Sequence, residues 1–151
     1  MTAGDMPGLL ALTFRALMDE IHTHLAEEGF ADVRPAHGFA FHFLSHRPAT
    51  AVELGEHLGI TKQAAVQLVD ELAARGYVER RPHPTDRRSR LVVLAPRGRQ
   101  CVDRVVALSQ AAEARWADLI GADAFARLHQ GLSAFATEMA RHRSVTVRPV
   151  W

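Results

Sequence analysis

Five arginines (Arg80, Arg81, Arg87, Arg88 and Arg90) crowd into one short stretch, YVERRPHPTDRRSRLVVLA, residues 77–95. Two runs with strand character flank a Pro-rich, Asp-containing turn. A hairpin this small cannot bury five guanidinium groups, so they point into solvent or at something anionic. A little earlier, Thr61, Lys62, Gln63 and Gln67 sit where a helix opens. Glutamine can pair bidentately with adenine, and lysine with guanine O6 and N7. A helix N-terminus capped by Thr61 suits a backbone phosphate. Duplex DNA is the polyanion that uses both sets: its major groove, ~12 Å wide, accepts one helix. The neighbouring minor groove, where narrow, attracts inserted arginine.

The plain alternatives are that Gln63 and Gln67 are solvated helix residues and that the arginines guard a hairpin edge. Position at the tip favours DNA contact for Arg87 and Arg88 over Arg90. Arg80 and Arg81 alternate along a strand, so one of the two faces DNA, while Val92 and Leu94 pack the hairpin onto the core.

No set of residues suggests catalysis. A Gly-rich phosphate loop, a nucleophile elbow and suitably placed paired carboxylates are all missing, so the expectation is no enzyme, no catalytic residues and no cofactor. His42 and His46 are four apart on one helix face, but the intervening FLS lacks the glutamate of a zincin, and no metal is expected. The single cysteine, Cys101, excludes an intrachain disulfide and fits a reducing compartment. Its neighbours Arg97, Arg99 and Arg104 would activate the thiol if they reached it; the favoured reading is a free structural thiol.

The elements that must hold these residues follow from periodicity and caps. Residues 8–28 place Leu10, Phe14, Leu17, Met18, Ile21 and Leu25 at helical spacing, with Gly29 as a stop. ADVRPAHG reads as a linker, with Pro35 discouraging helix at Arg34, and residues 39–46 as a second helix. Thr50 and Glu53 make a capping box for a short helix closing at Gly59. Thr61 caps the next helix, which Gly76 stops; its inward face is Ala65, Leu68, Val69 and Leu72. This helix pair and the hairpin after it lead into a long helix entered at Pro96 and running to Gly121. A last helix spans 122–143, and the 144–151 tail has no assigned role.

Composition bounds the rest. At 151 residues, 48% hydrophobic and 23% charged, the chain is one globular domain by length and composition. No apolar run approaches the ~20 residues of a membrane helix. The N-terminal stretch has no basic leader and carries Asp5 and Asp19, so a cytoplasmic location is expected, with no membrane partner. The net charge of +1 is unevenly divided. Lys62 to Arg104 holds ten basic and five acidic residues, a net of +5; the eight basic and twelve acidic side chains elsewhere leave −4. One face is built for a polyanion on an otherwise acidic body.

The stretch GITKQAAVQLVDELAARGYVERRPHPTDRRSRLVVLAPRG, residues 59–98, resembles the winged helix-turn-helix core of the MarR family of bacterial transcriptional regulators. Asp86 and Arg88 match the DxR of the family's wing, and LAPRG, ending at Gly98, matches the approach to its long helix, with Ala95 where threonine is usual. The resemblance implies a mainly α fold with a small β-hairpin wing and a helical dimerisation region from both termini. In it, 1–34 is the N-terminal dimerisation helix, 35–96 the winged helix-turn-helix lobe and 97–151 the C-terminal dimerisation helices and tail.

It further implies a homodimer on double-stranded DNA, a ligand-responsive repressor on a pseudopalindromic operator. Arg88 is then the wing-tip contact, with Asp86 orienting the wing by pairing with a nearby basic group. A small aromatic or anionic effector would sit in a crevice drawing on Phe14, Arg15, Met18, His22, Phe39, His42, Phe43 and His46. The competing reading is a winged-helix protein-interaction module that docks an acidic partner through the basic hairpin.

Overall fold

The computed structural model describes residues 4–142; the 144–151 tail lies outside them. Helix α1 is Met6–Leu25, with Pro7 in its first turn. It passes into a wide turn, Ala26–Phe30, where Gly29 adopts φ 92°. Helix α2 is Pro35–His46, four residues longer at its start than the sequence suggests. Pro35 is a first-turn residue: the ring forces Arg34 to be extended (φ −104°, ψ 158°) while its own φ suits the helix. His37 completes the cap, its Nδ1 accepting the Arg34 backbone N–H at 3.1 Å.

Helix α3, Ala51–Leu58, opens on the expected capping box. Thr50 Oγ1 accepts the Glu53 N–H at 3.2 Å, and Glu53 Oε2 accepts the Thr50 N–H at 2.7 Å. Gly59 ends the helix in the left-handed region at φ 64°, which glycine adopts without a Cβ penalty. Helix α4, Lys62–Ala74, follows after the short turn, with Thr61 Oγ1 accepting the Ala64 N–H at 3.1 Å. The α3–α4 crossing is close: a Cβ on Gly55 would lie 2.9 Å from Ala65 Cβ.

Strands β1, Val78–Pro82, and β2, Arg90–Leu94, pair antiparallel from Val78↔Leu94 to Pro82↔Arg90. Ala49 adds one rung, exchanging backbone hydrogen bonds with Val92 at 3.2 and 2.7 Å. This ties the root of the hairpin to the segment that leads into α3. Helix α5, Pro96–Ile120, and helix α6, Ala122–His142, complete the described chain. Ala95 gives α5 no side-chain cap; instead the Ala95 N–H reaches the Tyr77 carbonyl at 2.9 Å and Arg99 donates to the Leu94 carbonyl. Gly98 is required here, since a Cβ would fall 2.1 Å from the Tyr77 oxygen.

The core lies under the helix pair and the hairpin. Leu25, Phe41, Leu54, Val69, Leu72, Tyr77, Val92 and Cys101 are buried together, with Phe41 and Tyr77 rings 5.3 Å apart. Of the four inward positions expected on α4, Ala65, Val69 and Leu72 are buried and Leu68 packs half-buried against them. The two ends of the chain differ. Met6, Leu9, Leu10 and Leu12 of α1 are exposed, as are Leu119 and Ile120 of α5 and Leu128, Leu132, Phe135 and Met139 of α6. Such a large apolar surface on a single chain marks a contact face. No helix among the described residues is long and apolar enough to cross a membrane.

Candidate nucleic-acid interface

The exposed side of α4 carries Lys62, Gln63, Val66, Gln67 and Asp70, positions spaced so that they share one face. Lys62 and Gln63 lie in the first turn, beside the Thr61 cap, and Gln67 lies one turn further on. Val66 is a further residue of this face, beyond those that the sequence motifs mark. It stands 37% exposed between the two glutamines, where its methyl groups suit a thymine methyl. Its displacement from the inward Ala65–Val69–Leu72 stripe was the available signal.

The hairpin stands next to this face. Arg80, at its root, pairs with Asp70 on α4 at 2.5 Å. Arg81 points to the other side of the ribbon and pairs with its neighbour Glu79. Both β1 arginines are thus occupied, while among the described residues Arg87, Arg88 and Arg90 make no ion pair. Arg87 and Arg88 are exposed on the tip. Among the described residues Asp86 does not pair with a basic side chain; its Oδ1 accepts the Arg88 backbone N–H at 2.9 Å and its carbonyl accepts the Ser89 N–H at 3.1 Å. The carboxylate therefore shapes the turn through the backbone. His83 does the same for the preceding residues, its Nδ1 accepting the Thr85 and Asp86 N–H groups at 3.3 and 3.1 Å.

Two polar networks hold α4 from behind. Glu71 receives Arg34 through both oxygens, at 2.8 and 2.9 Å, and Arg75 at 2.8 Å. His37, fully buried, lies 3.7 Å from the same carboxylate. Burial, with the nearby Arg34 guanidinium, lowers the His37 pKa to about 4, so the ring is neutral. In the second network the Tyr77 hydroxyl donates to Asp32 Oδ1 at 2.5 Å. Arg97 reaches the same oxygen at 3.2 Å and the Arg75 carbonyl at 2.6 Å. Burial raises the Asp32 carboxyl, but the Tyr77 hydrogen bond and the Arg97 charge outweigh it and hold the carboxyl below its usual range. Burial and the same hydrogen bond raise the Tyr77 phenol.

The eight residues named for an effector crevice are spread over different surroundings. Phe14, Arg15 and Met18 line a recess with Leu12, Asp19 and Pro35. His22 is half-buried, and burial lowers its pKa. Phe39 packs against the core. Phe43 turns instead towards α3, its ring stacked 4.2 Å from His57 with Arg47 5.0 Å above it. The His42 and His46 rings lie 4.7 Å apart, tilted at 56° to each other, and no third metal-type ligand joins them among the described residues. Cys101 is buried, and burial, with Asp32, pushes its thiol up to about 11. The neighbouring arginines therefore do not activate it.

Residues 31–89 match the sequence model of the MarR family. Among solved structures, the transcriptional repressor CouR bound to a 23-mer DNA duplex is 25% identical, with a TM-score of 0.67 over 90% of this chain and 98% of that one. RV1404 from Mycobacterium tuberculosis is also 25% identical, with a TM-score of 0.76 over 91% and 94%. FabT from Streptococcus pneumoniae, in complex with DNA, shares the fold at 17% identity, TM-score 0.79, over 94% and 100%. No curated protein matches the sequence.

Proposed function

We propose that this chain, whose residues 31–89 match the sequence model of the MarR family, is a sequence-specific, double-stranded-DNA-binding transcriptional regulator. One observation carries this reading. Lys62, Gln63 and Gln67 stand exposed on α4, and the hairpin that the Arg80–Asp70 pair fastens beside them ends in the unpaired Arg87 and Arg88. A helix for the major groove and a cationic finger for the adjacent minor groove are thereby offered together. Thr61 holds a phosphate at the α4 N-terminus, and Asp86 keeps the wing tip in shape.

The regulator acts as a homodimer. The exposed apolar residues of α1, α5 and α6 are what a second copy would cover, which supports reading 1–34 and 97–151 as the dimerisation regions flanking the 35–96 DNA-binding lobe. Two-fold symmetry then calls for a pseudopalindromic operator with half-sites about 10 bp apart. The role is that of a repressor released by a small aromatic or anionic compound, which would enter the recess beside Phe14, Arg15 and Met18, where the walls are largely apolar and the Arg15 guanidinium stands alongside the Asp19 carboxylate.

The test is selection of bound sequences from random duplex DNA at near-physiological salt, with affinity measured at two salt concentrations. An enriched inverted repeat with a steep salt slope is the expected result. Weak, purely salt-driven binding with no enriched sequence would sink the reading and turn attention to an acidic protein partner for the hairpin.

A further inference from the structure

The wing tip carries a device that the DNA-binding reading does not use. Between the closing pair Pro82↔Arg90 the chain runs through His83, Pro84, Thr85, Asp86, Arg87, Arg88 and Ser89. Pro84 has no N–H. The two backbone donors that follow it, on Thr85 and Asp86, both converge on His83 Nδ1, at 3.3 and 3.1 Å, and the Thr85 hydroxyl lies 3.4 Å from the same atom. Asp86, so placed, in turn accepts the Arg88 N–H on its side chain and the Ser89 N–H on its carbonyl. The imidazole thus organises the first half of the tip, and Asp86 relays that order to Arg88.

We propose that His83 is a positioning residue for DNA recognition, aiming Arg87 and Arg88 through acceptance of two backbone N–H groups at Nδ1. This rests on the DNA-binding reading above. An nitrogen that accepts two N–H donors must present its lone pair, so the ring proton sits on Nε2. The ring is half-buried against the turn while the arginines it arranges are exposed, so what it contributes is direction rather than charge. A freely moving tip would bring the same two guanidinium groups to DNA at a larger loss of conformational freedom, and rigid presentation lowers that cost.

The chemistry selects the variants. In His83→Asn the side-chain oxygen takes the place of Nδ1 as acceptor; in His83→Ala nothing accepts. Operator affinity is expected to fall about tenfold in the alanine variant, as two hydrogen bonds are lost, and to stay within about twofold of wild type in the asparagine variant. Nitrogen-15 spectra of the free wild-type protein should show an unprotonated Nδ1, and Thr85 and Asp86 amides should exchange faster in His83→Ala than in wild type or His83→Asn. Alanine binding as well as wild type, or asparagine binding no better than alanine, would overturn the proposal. If the wild-type protein selects no operator at all, the regulator reading fails by itself, and the amide exchange rates still decide whether His83 holds the tip.

Discussion

The Arg97 guanidinium lies 4.3 Å above the ring of Tyr77 and donates past it to the carbonyl of Arg75, the C-cap of α4. One side chain in the first turn of the long helix α5 therefore grips the end of α4 and, through Asp32 and the Gly29 carbonyl, the turn that follows α1. Stacking and three acceptors leave little freedom at this junction. The tilt of α4 is referenced to helices on which a dimer would be built, so the distance between two reading helices in a pair follows from a rigid joint.

Arg88→Ala should weaken operator binding about tenfold and reduce the salt slope by about one, because a cation that meets the polyanion is removed. The side chain is exposed at the wing tip, remote from the apolar faces of α1 and α6, so the oligomeric state should not change. Fluorescence anisotropy at two salt concentrations, with sedimentation for mass, makes the check. Equal operator affinity for variant and wild type would remove the wing from the interface.

Gln67→Ala should alter which sequences are chosen more than how tightly they are held. Loss of one bidentate base contact removes about 1–3 kcal/mol of discrimination at a single position. Repeating the selection with the variant should show one base position relaxed in each half-site. An unchanged profile would count against Gln67 as a reader.

Acid should destabilise the fold early through His37. Its folded-state pKa is about 4, against 6.5 for an ordinary imidazole. Between those values the unfolded chain takes up a proton that the folded ring refuses, so stability is full above pH 6.5 and declines as pH falls towards 4. The loss amounts to about 3 kcal/mol. His37→Asn keeps an acceptor for the Arg34 N–H but does not titrate, so denaturant titrations across this window should show a flatter pH dependence than wild type. Parallel curves would place the acid sensitivity elsewhere.

Cys101 should be inert in the native protein. With its thiol pushed up to about 11 and no exposed surface, almost no thiolate is present at neutral pH. An aromatic disulfide reagent should label it at the rate of unfolding, and at once in denaturant. Rapid labelling of the folded protein would contradict the burial.

The elements were legible where local chemistry decides them. Thr50 with Glu53, Thr61, Gly59 and Pro96 each fix a helix end by contacts within four residues, and the structure has those ends where the caps stand. The start of α2 is ambiguous in the sequence because Pro35 carries two messages: it bars helix before itself and begins helix at itself. Side-chain partners across long separations were not legible. Arg34 with Glu71 and Arg97 with Asp32 are brought together only by folding, and nothing at either position announces the other. The candidate crevice shows the same limit, since nothing in the sequence around Phe43 says that its ring turns to His57. The tip of the hairpin lies between. Its arginines were obvious by type, whereas the role of His83 depends on where Pro84 steers the chain.

Lys62 is the sole lysine in 151 residues and stands exposed in the first turn of α4. Apart from an α-amino group, the protein therefore has a single primary amine, set on the surface proposed to meet base pairs. An amine-directed reagent becomes a site-specific occupancy probe without any engineering. The fraction acylated in the presence of a duplex reports how often that turn is covered, and a mass difference on one peptide reads it out.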